Sequence, residues 1–256
     1  MSKERPLILV TNDDGIQAKG IRCLIEAVAP FGDVVVVAPD KPQSGMGHAI
    51  TVNDVLRLKK SPLYPDLEAY TCSGTPVDSV KLAIAEVIKA KPDLLVSGIN
   101  HGENSASNVL YSGTMSAAVE GAMEDIPSIG FSLLDFDPDA DFSASQWAVR
   151  EIVDKVLKNE FPKSICLNVN IPQLPVDEIK GIKICRQAKA YWKDDFDKRH
   201  DNFGKPYFWL KGNFNRSDRS EDTDIWALDH GYVSVVPTQF DMTAYHVMSQ
   251  VNEWNL

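Results

Sequence analysis

The amino-acid sequence predicts an α/β protein: a Rossmann-like, doubly wound, mostly parallel sheet with an extended β-hairpin arm and a C-terminal helical segment. Three observations carry the prediction. Short, continuously apolar, β-branched runs recur, as in PLILVT at 6–11 and DVVVVA at 33–38, and such runs are strands covered on both faces in a parallel sheet. Between them lie stretches with apolar residues at helical spacing, which gives the β-α-β alternation of a doubly wound fold. After residue 172 that alternation gives way to IKGIKICRQAKAYWKDDFDKRHDNFGKPYFWLKGNF, rich in aromatics and charges, which reads as an antiparallel arm standing away from the core.

The elements follow in order. KGIRCLIEAVAPFG carries Ile21, Leu24, Ile25 and Val28 at helical spacing and stops at Pro30 and Gly32, as a helix should. ITVNDVLRLKK and EAYTCSG read as strands. GTPVDSVKLAIAEVIKAKPD reads as a helix with Thr75 as N-cap, Pro76 at the first helical position and Asp78 three residues after the cap. PDLLVSGIN is a strand, GTMSAAVEGAMEDI a helix, PSIGFSLL a strand, SASQWAVREIVDKVLKNE a helix and SICLNVNIP a strand. DTDIWALDHGYVSVVPTQF reads as a short helix followed by a strand that rejoins the sheet, and MTAYHVMSQVNEWNL as a terminal helix. The division is a catalytic core at 1–172 and an arm and oligomerisation segment at 173–256, continuous as one domain.

Composition narrows the function classes. A chain of 256 residues with 44% hydrophobic and 24% charged residues can bury a substantial core. Its net charge of -10 disfavours nonspecific binding to a nucleic-acid polymer or an anionic membrane, since both need a cationic face. The four cysteines are scattered without a C-x-x-C pair, which suggests a reducing compartment. The amino-terminal segment has too short an apolar run for a signal peptide, and no stretch reaches the roughly 20 apolar residues of a membrane span. The expected location is the cytoplasm.

Ligands of open α/β sheets sit beyond the carboxyl ends of the strands. Three loops begin there: Asn12 to Gly15, Pro39 to His48 and Ser97 to Thr114. The first places Asp13 and Asp14 where related folds place phosphate-binding glycines. Two bare carboxylates would repel a phosphate, whereas a divalent cation between them would attract it; the competing reading is an Asp pair capping the next helix. Ser44 in the second loop and Asn100 after the third strand complete an all-oxygen donor set that favours Mg²⁺, Mn²⁺ or Ca²⁺ over zinc. Ser112, Gly113 and Thr114 open a helix whose free N–H groups suit a phosphate, with plain N-capping as the alternative use of Ser112 or Thr114. The chemistry implied is metal-assisted hydrolysis of a phosphate ester, with Asp13 and Asp14 holding the metal and orienting the water.

The motifs LVTNDDG, APDKPQSGMGHAIT, CSGTPVDSV, PDLLVSGINHGENSASNVLYSGTMSAA and VVPTQFDMTAY together resemble those of the SurE survival-protein family, in order and over nearly the whole chain. The resemblance implies a 5'/3'-nucleotidase that hydrolyses nucleoside monophosphates with one divalent cation per subunit, with exopolyphosphatase activity in some members. It also implies a homodimer or homotetramer built through swapped C-terminal segments and the hairpin. The family's metal ligands fall on Asp13, Asp14, Ser44 and Asn100, and Asn104 with Ser112 to Thr114 match its phosphate pocket. GENSASNV lacks the glycines common there, and Met115 and Ser116 stand where a valine and a small residue are common, which bears on substrate preference.

Other candidates read more plainly. His101, in the third loop, is expected to be a solvated loop histidine. DFDPDADF lacks the glycine and glutamate of a calcium loop and reads as an acidic connection before a helix. Trp192, Phe203, Tyr207, Phe208 and Trp209 could stack on a base, but the default expectation is packing in a subunit interface. No G-x-S-x-G elbow is present and NDDG does not fit the D-x-D of aspartyl-phosphate hydrolases, so covalent catalysis is disfavoured. The rival from another class is a noncatalytic nucleotide-binding module in which Asp13 and Asp14 cap a helix.

Overall fold

The structure is a computed structural model and describes residues 5–254. The first four residues of the amino-terminal segment and the last two of the predicted terminal helix lie outside the described residues. The strands are β1 (Leu7–Thr11), β2 (Asp33–Pro39), β3 (Leu58–Lys60), β4 (Glu68–Cys72), β5 (Leu94–His101), β6 (Ser128–Leu133), β7 (Ile165–Ile171), β8 (Ile182–Ile184), β9 (Tyr191–His200), β10 (Pro206–Asn215) and β11 (Val233–Gln239). The α-helices are α1 (Lys19–Val28), α2 (Pro76–Leu82), α3 (Gly113–Met123), α4 (Ser143–Lys158), α5 (Asp224–Asp229) and α6 (Met248–Asn252).

Nine strands form one sheet in the order β3-β4-β2-β1-β5-β6-β7-β11-β8. The run from β4 to β7 is parallel, whereas β3 and β11 pair antiparallel with β4 and β7. Strands β9 and β10 form the separate antiparallel hairpin. Segments on both sides of residue 172 thus contribute strands to a single sheet.

The two faces are both covered, as the continuously apolar strands require. Ile8, Val10, Val34 and Val36 pack with Ile21 and Leu24 of α1 and Val149 and Val153 of α4. The alternating residues Leu9, Val35 and Val37 pack on the other side with Val80 of α2 and Ala117 of α3. The chain runs outward from β1 through β2 to β4 and then returns to β5 on the opposite flank of β1. That reversal is the topological switch point, where a crevice opens beyond the strand ends.

Three elements differ from expectation for physical reasons. The strand predicted over 50–60 survives only as β3, because residues 49–51 are tied to the start of α2 instead. Thr75 Oγ1 donates to the Ala49 carbonyl at 2.8 Å and Thr51 N to Asp78 Oδ1 at 3.1 Å. The long helix predicted after Thr75 is α-helical to Leu82, continues as a π-helical turn over Ala83–Ile88 and stops at left-handed Lys89. The terminal helix shrinks to a 3₁₀ turn at Tyr245–Val247 and the short α6, neither with a buried residue, since a short helix without a packed face is marginal.

The α2 start is as read from the sequence: Thr75 caps Asp78 N at 3.1 Å and Asp78 Oδ2 accepts from Thr75 N at 2.9 Å. Thr75→Ala removes this cap and the tether to Ala49, so urea unfolding is expected to show a loss of about 1–2 kcal/mol. Unchanged stability would show that the box is ornamental.

Candidate active site

The loop after β1 is a tight turn. Asn12 Nδ2 donates to the Gly15 carbonyl at 2.9 Å, and Gly15 takes φ +91°. The turn does not cap the helix that follows. The N-cap of α1 is Ala18, with no side-chain capping bond, so the carboxylates of Asp13 and Asp14 serve another purpose. Asp13 is 4% exposed and accepts a hydrogen bond from Thr114 Oγ1 on Oδ1. Asp14 is half-buried, and its Oδ2 accepts a long bond from His101 N at 3.4 Å. Burial raises both carboxyls, and the charge of Asp14 adds to the effect on Asp13, which is pushed up to about 6.

The second loop is drawn to the first by Gln43 N, which donates to the Asp13 carbonyl at 2.8 Å. Ser44 follows, exposed. In the third loop, Asn100 Nδ2 donates to the Gly102 carbonyl at 2.7 Å, which leaves its amide oxygen as an unused acceptor. Asn104 is 6% exposed and firmly held. Its N–H donates to Asn170 Oδ1 at 2.7 Å, its Nδ2 to Ser132 Oγ at 2.9 Å, and its carbonyl accepts from Asn168 Nδ2 at 2.8 Å.

The hydroxyls at the start of α3 each have a structural partner. Ser112 Oγ accepts from Met115 N at 3.0 Å and caps the helix, while the Thr114 hydroxyl holds Asp13. What the helix start offers a ligand is its first backbone N–H groups, its positive dipole end and the Ser112 O–H, which still has a proton to donate. Gly113 makes room for Asp13, since a Cβ there would lie 2.7 Å from Asp13 Cβ and 2.9 Å from its Oδ2.

Asp13, Ser44, Asn100, Asn104 and Ser112 line one cleft of about 400 Å³ at the switch point. Asp14, Gly113 and Thr114 are not among its lining residues. Its other lining residues include His101, Trp192 and Phe136, which the sequence reading did not assign to the site. His101 is half-buried and edge-on to Phe142 at 5.1 Å between ring centres, and its Nδ1 is buried without a hydrogen-bond partner among the described residues; it lines the cleft rather than standing in solvent. Trp192, at the root of the arm, lines the cleft too and donates Nε1–H to Asn108 Oδ1 at 2.8 Å. Phe136 reaches the same cleft from the acidic connection. Nothing in the local pattern marks either aromatic, since each arrives through long-range packing. The acids around Phe136 turn the chain: Asp135 and Asp137 accept from the N–H groups of Asp137 and Asp139 at 2.9 Å.

The donor set fits a hard divalent cation. Two neighbouring carboxylates, one of them almost wholly buried, take part in no ion pair among the described residues. The Asn100 amide oxygen and the Ser44 hydroxyl are hard neutral donors of the kind Mg²⁺ and Mn²⁺ accept. No group of three or more His, Cys, Asp and Glu side chains placed to hold a metal ion occurs among the described residues, so the two carboxylates would need the neutral oxygens to complete a set.

The family model for the survival protein SurE matches residues 8–194. The chain belongs to the SurE family. A SurE relative from Flavobacterium johnsoniae, named 5'-nucleotidase SurE, is 62% identical over 257 aligned residues, covering 100% of this chain and 99% of the relative. One of the same name from Bacteroides fragilis is 48% identical, covering 100% of each. The crystal structure of the SurE protein from Aquifex aeolicus superposes with a TM-score of 0.86 at 42% identity, covering 98% of this chain and 100% of that one.

Proposed function

We propose that the chain is a divalent-metal-dependent 5'/3'-nucleotidase that hydrolyses nucleoside monophosphates to nucleoside and phosphate. The carrying observation is the pair Asp13 and Asp14, buried or half-buried at the switch point, not capping the helix that follows them and paired with no cation among the described residues. The 5'-nucleotidase name of its full-length relatives points the same way. Asp13, Asp14, Ser44 and Asn100 would hold one Mg²⁺ or Mn²⁺, which supplies Lewis acidity toward the phosphoryl oxygens and toward water. Asp13 and Asp14 orient the attacking water. The first N–H groups of α3 and the Asn104 amide bind the phosphoryl oxygens. A bond forms from the water oxygen to phosphorus as the ester bond breaks, and the nucleoside leaves with its oxygen protonated.

The noncatalytic module required Asp13 and Asp14 to cap a helix, and Ala18 occupies that position. Thermal melting with Mn²⁺ or Mg²⁺ tests the metal step, because a cation that binds only the folded chain raises its melting temperature. The expected result is a rise for the wild type that Asp13→Asn loses. No rise with either metal would return the reading to a nucleotide-binding module.

The cleft's rim supports a nucleoside rather than a bare phosphoester. Tyr111, Phe136 and Trp192 border the polar floor and offer faces on which a base stacks. Trp192→Ala is expected to lower kcat/KM for nucleoside monophosphates about tenfold, the value of one lost stacking contact, and to leave hydrolysis of tripolyphosphate unchanged. Equal losses on both would remove Trp192 from base recognition. Polyphosphate presents the same terminal phosphoryl group and is the second substrate of this reading.

We read the assembly as a homodimer or homotetramer, on the strength of the arm's exposed Phe196, Phe208, Trp209 and Leu210. The compartment reading is cytoplasmic, supported by four unpaired cysteines. No helix among the described residues is long and apolar enough to cross a membrane.

A further inference from the structure

Ser44 stands on an exposed loop tip, yet the proposed metal site needs it in a fixed place. No hydrogen bond from Ser44, Gly45 or Met46 reaches another element among the described residues. The tip is anchored on either side instead. Before it, Gln43 N donates to the Asp13 carbonyl; after it, Gly47 N donates to the Tyr111 carbonyl at 3.2 Å. The next residue, His48, places Nε2 3.0 Å from Glu120 Oε2.

Glu120 is an unusual neighbour. It lies on α3 among buried Ala117, Ala118 and Ala122 and is itself 2% exposed. An unpaired carboxylate there would carry a heavy desolvation cost. Two donors from separate elements offset it: the Lys81 ammonium from α2 on Oε1, and His48 from the loop on Oε2. Burial alone would raise the Glu120 carboxyl, but these two bonds outweigh it and hold the group below the usual glutamate range. A carboxylate can only accept, so His48 carries its proton on Nε2.

The same helix touches the other half of the site. Thr114 and Gly113, in its first turn, fix Asp13, and Glu120 follows Gly113 by about two turns on the same side. One buried helix thus sets both Asp13 and the Ser44 tip. We propose that His48 and Glu120 are positioning residues, a hydrogen-bonded mooring that holds the Ser44 tip at the metal site through α3. This rests on the reading of Ser44 as a metal ligand.

The test uses His48→Ala and His48→Gln in the full-length protein, because the glutamine keeps a donor where Nε2 stands and the half-exposed site tolerates both. Mn²⁺ alone is titrated calorimetrically, and amide hydrogen exchange is followed over residues 43–47. His48→Ala is expected to weaken Mn²⁺ binding about ten- to a hundredfold, the usual loss when a ligand's support is removed. It should also speed exchange in the tip, and be rescued on both counts by His48→Gln. Wild-type Mn²⁺ binding and wild-type exchange in His48→Ala would overturn the mooring. Equal weakening by alanine and glutamine would overturn it as well. A wild-type protein that binds no Mn²⁺ would instead sink the metal reading beneath it.

Discussion

Asp13→Asn is expected to lower kcat for nucleoside monophosphate hydrolysis roughly 10³-fold, the scale of losing one preorganised electrostatic group at the reacting phosphorus. The chain should remain folded. Asparagine keeps the shape of the side chain and can still meet the Thr114 hydroxyl, while it removes a charge that is 4% exposed and pairs with no cation among the described residues. In chelator at neutral pH the variant should therefore melt no lower than the wild type. That combination, activity lost and metal-free stability kept, separates a metal ligand from a structural aspartate. A variant with wild-type kcat, or one that unfolds, would contradict the assignment.

Gly113→Ala should be nearly as damaging for a different reason. The added methyl would sit 2.7 Å from Asp13 Cβ, a distance that real side chains do not tolerate, so either α3 or Asp13 must move. Alanine suits the first turn of a helix better than glycine does, and the fold should hold. A displacement of about 1 Å at a catalytic group costs on the order of 10²-fold. The expected result is a fall of that size in kcat/KM, with Mn²⁺ binding weakened in parallel. Unchanged kinetics would mean that Asp13 has freedom the packing denies.

Much of this architecture is legible in the sequence because it is local. The strands β1 and β2 announce themselves through runs that alternate between two packed layers, as Leu9 and Val10 do. The Thr75 and Asp78 box is a pattern only a few residues long and appears in the structure with both of its bonds. What failed was decided at long range. The segment over 50–57 alternates like a strand but is drawn off at Ala49 and Thr51 by the start of α2, and the terminal segment has helical spacing but its helix buries no residue among the described residues.

The candidate site divides along the same line. Loops at strand ends, rich in short oxygen-bearing side chains, are visible in the sequence, and the structure gathers Asp13, Ser44, Asn100, Asn104 and Ser112 around one cleft. Two alternatives stayed open until geometry was available. Whether Asp13 and Asp14 capped a helix depended on where α1 begins, which the Ala18 cap settles. Ser112 and Thr114 read alike in sequence, yet one hydroxyl caps α3 and the other holds Asp13. Trp192 and Phe136 come from distant segments and carry no local mark of a binding site.

The most direct test is phosphate release from a panel of nucleoside 5'- and 3'-monophosphates, measured with Mn²⁺, with Mg²⁺ and after exhaustive chelation. The account predicts hydrolysis that chelation abolishes and added metal restores, in the wild type and not in Asp13→Asn. Hydrolysis that survives chelation, or none under any metal, would contradict it.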